Sequence, residues 1–336
     1  MSFEMNRRKF THLSGAAALM SAFGLNRAVL AQDASPEAEA TPEGTNVVSF
    51  VEGPGEGELT ITHAQGETVV KVNPETIISF DVASIQSIEY LGGTLAGVPE
   101  LTSGEEVYTS DAELVGSLFE PDYEAVNALA PDLIIVAGRS AAVYPELSNI
   151  APTIDITFQT DMVESFHQIT STLGAILDKQ DEAAAASAEI DERIAVLQEQ
   201  TADAGSGLVV MVSGGSVVAL SPGAARAGRG ALIYNVLGFQ PPVEDLEAAT
   251  HGDPISFEFL LEHNPDWLFV IDRDNATGGD GAPAAEVLDN DIVHETTAYQ
   301  NDQIVYLNPF DWYIITGAGI PSFNRMLDEL DAAFGA

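Results

Sequence analysis

One helix–strand unit occurs twice in this chain, and each copy runs into an arginine. Tyr123–Arg139 reads YEAVNALAPDLIIVAGR and Phe257–Arg273 reads FEFLLEHNPDWLFVIDR. Aligned on Pro131-Asp132 and Pro265-Asp266, the copies agree in residue type at Tyr123/Phe257, Glu124/Glu258, Val126/Leu260, Leu133/Trp267, Ile134/Leu268, Ile135/Phe269, Val136/Val270 and Arg139/Arg273. In each, a cap-competent Asp122 or Ser256 precedes a short amphipathic helix and an X-Pro step breaks it. A continuous apolar run follows, as in a strand buried on both faces. The duplication predicts two similar α/β lobes. Ligands of open α/β sheets collect beyond the carboxyl ends of the strands, so Arg139 and Arg273, one per lobe, are placed to face a shared cleft.

The remainder of the 336 residues is organised around that duplication. Residues 1–31 carry Arg7-Arg8 ahead of an apolar stretch, Gly15–Leu25, and a small-residue cleavage context at Val29-Leu30-Ala31. This predicts a twin-arginine export signal whose core is too short for a permanent membrane anchor. Residues 32–46 are rich in Pro, Glu, Ala and Ser without an aromatic, the composition of a disordered acidic linker. Residues 47–160 form the expected N-terminal lobe. It has an antiparallel start in short alternating stretches, then strand Ile77–Phe80, helix Val82–Leu91 closed by Gly92-Gly93, and repeating strand and helix. Residues 161–205 read as a helical connector broken near Asp178–Asp181, and about twenty helical residues span roughly 30 Å, enough to join two lobes. Residues 206–336 form the C-terminal lobe. Here Leu208–Val212 and Ser216–Leu220 flank a turn at Ser213-Gly214-Gly215, a helix lies near Ala231–Leu237, and the second copy follows. Strand Gln303–Leu307, an aromatic loop Asn308–Tyr313 and helix Ser322–Phe334 complete the lobe.

Charge removes several function classes. The chain has 52 acidic and 12 basic residues, a net charge of −40. Without residues 1–31 it loses Glu4 and the four bases Arg7, Arg8, Lys9 and Arg27, which leaves 51 acids, 8 bases and −43. Nucleic acid and anionic membranes are poor partners for such a surface, which suits solvation in high salt or acid. Six arginines remain: Arg139, Arg193, Arg226, Arg229, Arg273 and Arg325. Any that converge on one spot are therefore not surface decoration. There is no cysteine, hence no disulfide, thiolate metal site or lipid-modified cysteine. Gly-x-Ser-x-Gly and His-Glu-x-x-His are also absent, so the reading is a binding protein and not an enzyme. The five histidines beyond the leader, His63, His167, His251, His263 and His294, lie on different elements and read mostly as surface residues. His251 differs, because its loop, Ala249–Pro254, precedes the second repeat helix at the rim that carries Arg273. Tyr313 follows a strand on the same side. Together they offer an imidazole nitrogen and a phenolate oxygen, the latter a hard ligand suited to ferric iron.

At this point the chain resembles a known family. Val115–Asp122, Pro131–Arg139, Ile150–Thr153, Arg229–Gly238, Thr250–Gly252, Asn264–Arg273 and Trp312-Tyr313 look like the periplasmic receptors of ABC importers for ferric catecholate siderophores. The chain resembles the petrobactin and enterobactin-fragment binders in particular, over about Val70–Phe334. The resemblance implies two α/β lobes joined by one long α-helix, with a ferric complex in the cleft and no intrinsic cofactor. It places the family's three arginines on Arg139, Arg229 and Arg273, and its iron-contacting histidine and tyrosine on His251 and Tyr313. It also implies a ferric siderophore and an ABC permease as partners, with the receptor a monomer in the periplasm or cell envelope. The additional cation Arg226 and the small Gly230 depart from the pattern, and Arg226 is a candidate fourth contact. The anionic chelate suits planar guanidinium donors that also stack on catechol rings, and a four-oxygen siderophore leaves iron two positions for His251 and Tyr313. Receptors for another iron chelate (hydroxamate or citrate), haem or a corrinoid share the fold and remain open alternatives. An exported enzyme is a remote one.

Overall fold

The apolar runs of the repeat lie inside two five-stranded sheets. The computed structural model describes residues 48–101, 111–157, 161–222, 228–243, 246, 252–316 and 319–335, all within the unit Thr45–Ala336. An antiparallel meander, β1 (Ser49–Glu52), β2 (Glu58–His63) and β3 (Gly66–Lys71), opens it. The first lobe then runs β4 (Ile77–Ser79), α1 (Val82–Tyr90), β5 (Gly97–Glu100), β6 (Glu113–Ser117), α2 (Tyr123–Ala128), β7 (Leu133–Val136), α3 (Tyr144–Leu147) and β8 (Thr153–Asp155). Its sheet is parallel throughout, in the order β6-β5-β4-β7-β8.

Two helices lead to the second lobe, α4 (Met162–Ile176) and α5 (Gln180–Thr201). The chain breaks between them at Asp178, whose φ of 55° is left-handed, where the sequence predicted a break. At 22 residues, α5 is about 33 Å long. It buries Ala183, Ala186, Ile190, Ile194 and Leu197 along one stripe. The second lobe comprises β9 (Gly207–Ser213), β10 (Ser216–Ala219), β11 (Asp253–Ile255), α6 (Phe257–His263), β12 (Trp267–Asp272), α7 (Arg273–Thr277), α8 (Ala284–Leu288), α9 (Thr297–Gln300), β13 (Ile304–Leu307) and α10 (Ile320–Phe334). Its sheet order is β11-β10-β9-β12-β13, with β9, β12 and β13 parallel and β10 and β11 antiparallel.

The Gly-Gly pair is a hairpin turn, as expected. Gly214 and Gly215 have φ of 56° and 74°, the two positive values a two-residue turn of matching twist requires. Strand β11 was not legible. It is three residues long and contains Pro254, which an edge strand tolerates because its missing N–H faces no partner.

The repeat is reproduced in detail. Asp122 caps α2 through the Glu124 and Ala125 amides at 3.0 Å, and Ser256 caps α6 through the Phe259 amide at 3.3 Å. Each helix ends in a left-handed residue just before the proline, Ala130 at φ 48° and Asn264 at φ 43°. Each following aspartate then ties its strand to the start of the neighbouring parallel strand. Asp132 Oδ2 accepts from the Thr76 amide at 3.3 Å, just ahead of β4, and Asp266 Oδ2 accepts from the Ser206 amide at 2.7 Å, just ahead of β9.

A common core joins the lobes, running from Ile77, Ile85 and Ile135 through Phe166, Leu173 and Ile190 to Phe269, Trp312 and Phe323. Helix α10 links all three parts. Its Ile320 amide donates to Ser87 Oγ of α1 at 3.1 Å, and a Cβ on Gly319 would meet the Ala83 carbonyl at 2.8 Å. Its Asn324, Asp328 and Asp331 side chains accept from Arg193 of α5 at 2.7–2.8 Å. Two expectations need correction. His63 is not a surface residue but is 2% exposed, held by Thr68 Oγ1 at 2.8 Å on one ring nitrogen and facing the Gln65 and Asp155 amides with the other. The segment read as an aromatic loop, Asn308–Tyr313, is largely a π-helical turn, Phe310–Ile315.

Candidate functional site

Three arginines and one tyrosine meet at the carboxyl ends of the strands. Arg139 sits in a 3-10 turn, Gly138–Val143, just after β7, between two anchored neighbours. The Gly138 amide donates to Thr157 Oγ1 at 2.6 Å, and Ser140 Oγ donates to the Phe80 carbonyl at 2.9 Å. Arg273 is the first residue of α7, whose cap Asp272 accepts from the Asn275 and Ala284 amides at 2.9 and 2.8 Å. Arg229 precedes a π-helical turn, Leu232–Val236, where the sequence predicted an ordinary helix. That turn is fastened by Tyr234, whose hydroxyl accepts from the Val209 amide at 2.8 Å and donates to the Leu220 carbonyl at 2.9 Å. Burial pushes this phenol well up from its usual range.

Tyr313 lies in the other π-helical turn and is 4% exposed. The residues around it are tied to fixed points. Asn308 Oδ1 accepts from the Phe310 and Asp311 amides at 2.9 and 3.1 Å. Buried Asp311 takes a two-pronged pair from Arg325, and the Trp312 indole donates to Glu329 Oε2 at 2.7 Å. Burial raises the Glu329 pKa, opposed by the bonds from Trp312 and the Asn308 amide. Left-handed Thr316, φ 55°, ends the turn. Single π-helical turns concentrate at functional sites, and here one carries Tyr313 and the other follows Arg229.

The guanidinium carbons of Arg229, Arg139 and Arg273 stand 4.0, 5.3 and 5.8 Å from the Tyr313 ring centroid. Arg139, from the first lobe, donates Nη2 to the Tyr313 carbonyl at 3.0 Å. Arg273 donates Nε to the Tyr313 hydroxyl at 2.9 Å and Nη1 to Ser213 Oγ at 3.0 Å. Arg229 covers the ring face, and its Nε is buried without a hydrogen-bond partner. Burial lowers its pKa first, Tyr313 opposes that, and the Arg139 and Arg273 charges lower it further. Neither Arg139 nor Arg229 has a carboxylate partner among the described residues. Half-buried cations lacking counter-charges are costly. An anion that enters between the lobes and takes these donors relieves that cost.

Of the residues singled out from the sequence, the structure brings Arg139, Arg229, Arg273 and Tyr313 together. His251 and Arg226 lie outside the described residues. Among those residues no group of three or more His, Cys, Asp or Glu side chains is arranged to hold a metal ion, and the Tyr313 hydroxyl faces Arg273. Two participants escaped the sequence reading. Ser213 was read only as part of a turn, and Asp274, which accepts from Ser213 Oγ at 3.1 Å, gave no signal beyond adjacency to Arg273.

The fold and the cleft define a solute receptor of the periplasmic type. The family model for periplasmic binding proteins matches residues 77–309, and the chain belongs to that family. It is 35% identical over 285 residues to the petrobactin-binding protein YclQ of Bacillus subtilis, spanning 81% of this chain and 87% of that one. Among solved structures, a TroA-like periplasmic binding protein from Xylanimonas cellulosilytica is similar at a TM-score of 0.74 and 44% identity, covering 80% of this chain and 92% of that one. The periplasmic catecholate-siderophore binding protein VctP of Vibrio cholerae is similar at a TM-score of 0.74 and 30% identity, covering 82% and 99%.

Proposed function

We propose that this protein is an extracytoplasmic receptor that captures a ferric catecholate siderophore between its lobes and delivers it to the permease of an ABC importer. The observation that carries the reading is the convergence of Arg139, Arg229 and Arg273 from two lobes on Tyr313, with the buried Arg229 Nε left unpaired. Planar donors of this kind match the delocalised oxygens of a catecholate, and their faces match its rings. The binding roles named for relatives, petrobactin and catecholate siderophores, support the same ligand class. Iron arrives as cargo inside the chelate. Where the siderophore supplies four oxygens, Tyr313 Oη and His251 complete the coordination, and Tyr313 keeps a lone pair beyond the one facing Arg273. Residues 1–31 serve as a twin-arginine leader, 32–46 as a spacer, and 47–160, 161–205 and 206–336 as lobe, connector and lobe of a monomer.

Titration with ferric catecholates, followed by tryptophan quenching, tests the reading. Each arginine contributes charge-assisted bonds of about 1.5–3 kcal/mol, so Arg139→Ala or Arg273→Ala weakens binding by roughly ten- to hundredfold. Failure of every ferric catecholate to bind, while a hydroxamate, citrate, haem or corrinoid binds, replaces the ligand class. For the coordination, His251→Ala and Tyr313→Phe shift the charge-transfer band of a four-oxygen complex and leave that of a six-oxygen complex in place. An unchanged spectrum removes both from the iron. Changing Arg7-Arg8 to Lys-Lys stops export if the leader uses the twin-arginine route.

A further inference from the structure

We infer that Ser213 and Asp274 are positioning residues of the cleft, which hold Arg273 so that its Nε meets the Tyr313 hydroxyl and so set how tightly the pair grips an anionic iron chelate. This rests on the receptor reading above and goes beyond it. The observation is four linked hydrogen bonds, with Asp274 accepting at one end and Arg273 donating on both sides. The Gly214 amide donates to Asp274 Oδ2 at 2.6 Å, and Ser213 Oγ donates to Asp274 Oδ1 at 3.1 Å. Arg273 Nη1 then donates to Ser213 Oγ at 3.0 Å and Arg273 Nε to Tyr313 Oη at 2.9 Å.

The chemistry of each link fixes the next. A guanidinium accepts nothing, so a serine facing it must spend its one proton elsewhere. Asp274 takes that proton, which leaves the Ser213 lone pairs toward Arg273. Asp274 is itself seated: two donors hold its carboxylate, its carbonyl accepts from the Gly279 amide at 2.7 Å, and a side chain at Gly281 would collide with the carboxylate. Ser213 ends β9 and Arg273 follows β12, which pair in parallel register, so the brace spans two adjacent strands of a rigid sheet. An arginine side chain carries much rotamer freedom, and two of its donor directions are fixed here before any ligand arrives. Among the described residues the first-lobe counterpart has no such brace in its own lobe: Arg139 Nη2 bonds across to the Tyr313 carbonyl. The duplicated arginines are thus held differently, one within its lobe and one between lobes.

A double-mutant cycle on the mature protein tests this, with the ferric complex of a tetradentate bis(2,3-dihydroxybenzamide) chelator as probe. Ser213→Ala and Asp274→Asn are each measured in the wild-type and Arg273→Ala backgrounds, with melting temperature as a folding control. One oriented hydrogen bond corresponds to about fivefold in affinity, so each variant should bind about fivefold more weakly in the wild-type background and show no further loss with Arg273→Ala. Ser213→Thr, which keeps the hydroxyl, should restore affinity. An unchanged affinity for Ser213→Ala, or a loss that persists undiminished with Arg273→Ala, overturns the positioning role while leaving the receptor reading intact. A wild-type protein that ignores the probe overturns both.

Discussion

Arg229 is the residue whose removal should make the empty protein more stable and the receptor worse. Every guanidinium carbon of the triad lies within 5.8 Å of one ring centroid, so no two are more than about 12 Å apart. At that separation two unit charges repel by about 0.3 kcal/mol in water and about 1.4 kcal/mol at an effective dielectric of 20. Arg229→Met removes two such repulsions and a buried unpaired Nε, whose desolvation costs about 1–3 kcal/mol. It forfeits the stacking of the cation on Tyr313, worth about 0.5–2 kcal/mol. The balance favours the variant by about 1–4 kcal/mol, or roughly 2–6 °C in melting temperature for a chain of this size. Thermal unfolding without ligand should be followed at ~10 mM and at ~1 M salt. The gain should shrink at high salt, where the screening length falls from about 30 to about 3 Å. With a ferric catecholate added, the order should reverse on the proposed binding role of Arg229, because the variant lacks that donor. A ligand-free Arg229→Met protein that melts below the wild type at low salt would show that the triad is not a strained constellation.

Three further outcomes follow from the structure. His63 is buried, and burial, outweighing the pull of Asp155, holds its pKa below 6.5. The unfolded chain then binds the proton more readily, so this contribution is complete above pH 6.5 and is lost as the pH falls below it. The melting-temperature advantage of wild type over His63→Gln should therefore narrow from pH 7.5 to pH 5, and a constant difference would refute the assignment. Asp132→Ala and Asp266→Ala each remove the acceptor that ties a repeat strand to its neighbour, and each should lower stability by about 1–3 kcal/mol in a urea titration without changing ligand affinity. Finally, at a net charge of −40 the protein repels an anionic chelate at range. Stopped-flow association should accelerate from ~10 to ~150 mM salt as the screening length contracts to about 8 Å, the reverse of ordinary steering. A rate that falls over this interval would mean that the triad's field dominates beyond the cleft mouth.

The parts of the fold that read from sequence are those where residue type alone fixes the local outcome. Continuous apolar runs gave β7 and β12, Asp122 and Ser256 gave the helix starts, and Gly214-Gly215 gave the hairpin. The π-helical turns did not read, because nothing in FDWYII distinguishes one from a loop. Besides the local Asn308 bonds at its start, what makes that turn is tertiary: Arg325 on Asp311 and Glu329 on Trp312, both from α10. The buried state of His63 was hidden in the same way, since its partners Thr68 and Asp155 come from β3 and β8. Ser213 and Asp274 are 61 residues apart and meet only because β9 and β12 pair.

The repeat itself carries two kinds of information at its two ends, and they account for what is duplicated in the site and what is not. At the amino end of each strand, Asp132 and Asp266 perform the same task on the neighbouring strand, a purely architectural role that both lobes require. At the carboxyl end, Arg139 and Arg273 occupy the same offset but make different bonds: one reaches a carbonyl across the cleft, the other a hydroxyl and a serine in its own lobe. The difference arises because Tyr313 and Arg229 belong to segments without a counterpart in the repeat of the first lobe. Duplication thus supplied a symmetric frame with a cation on each rim, and the unduplicated turns around Arg229 and Tyr313 made the cleft one-sided. A ligand gripped there should be held mainly by the second lobe, with Arg139 as the contact that reports whether the first lobe has closed on it.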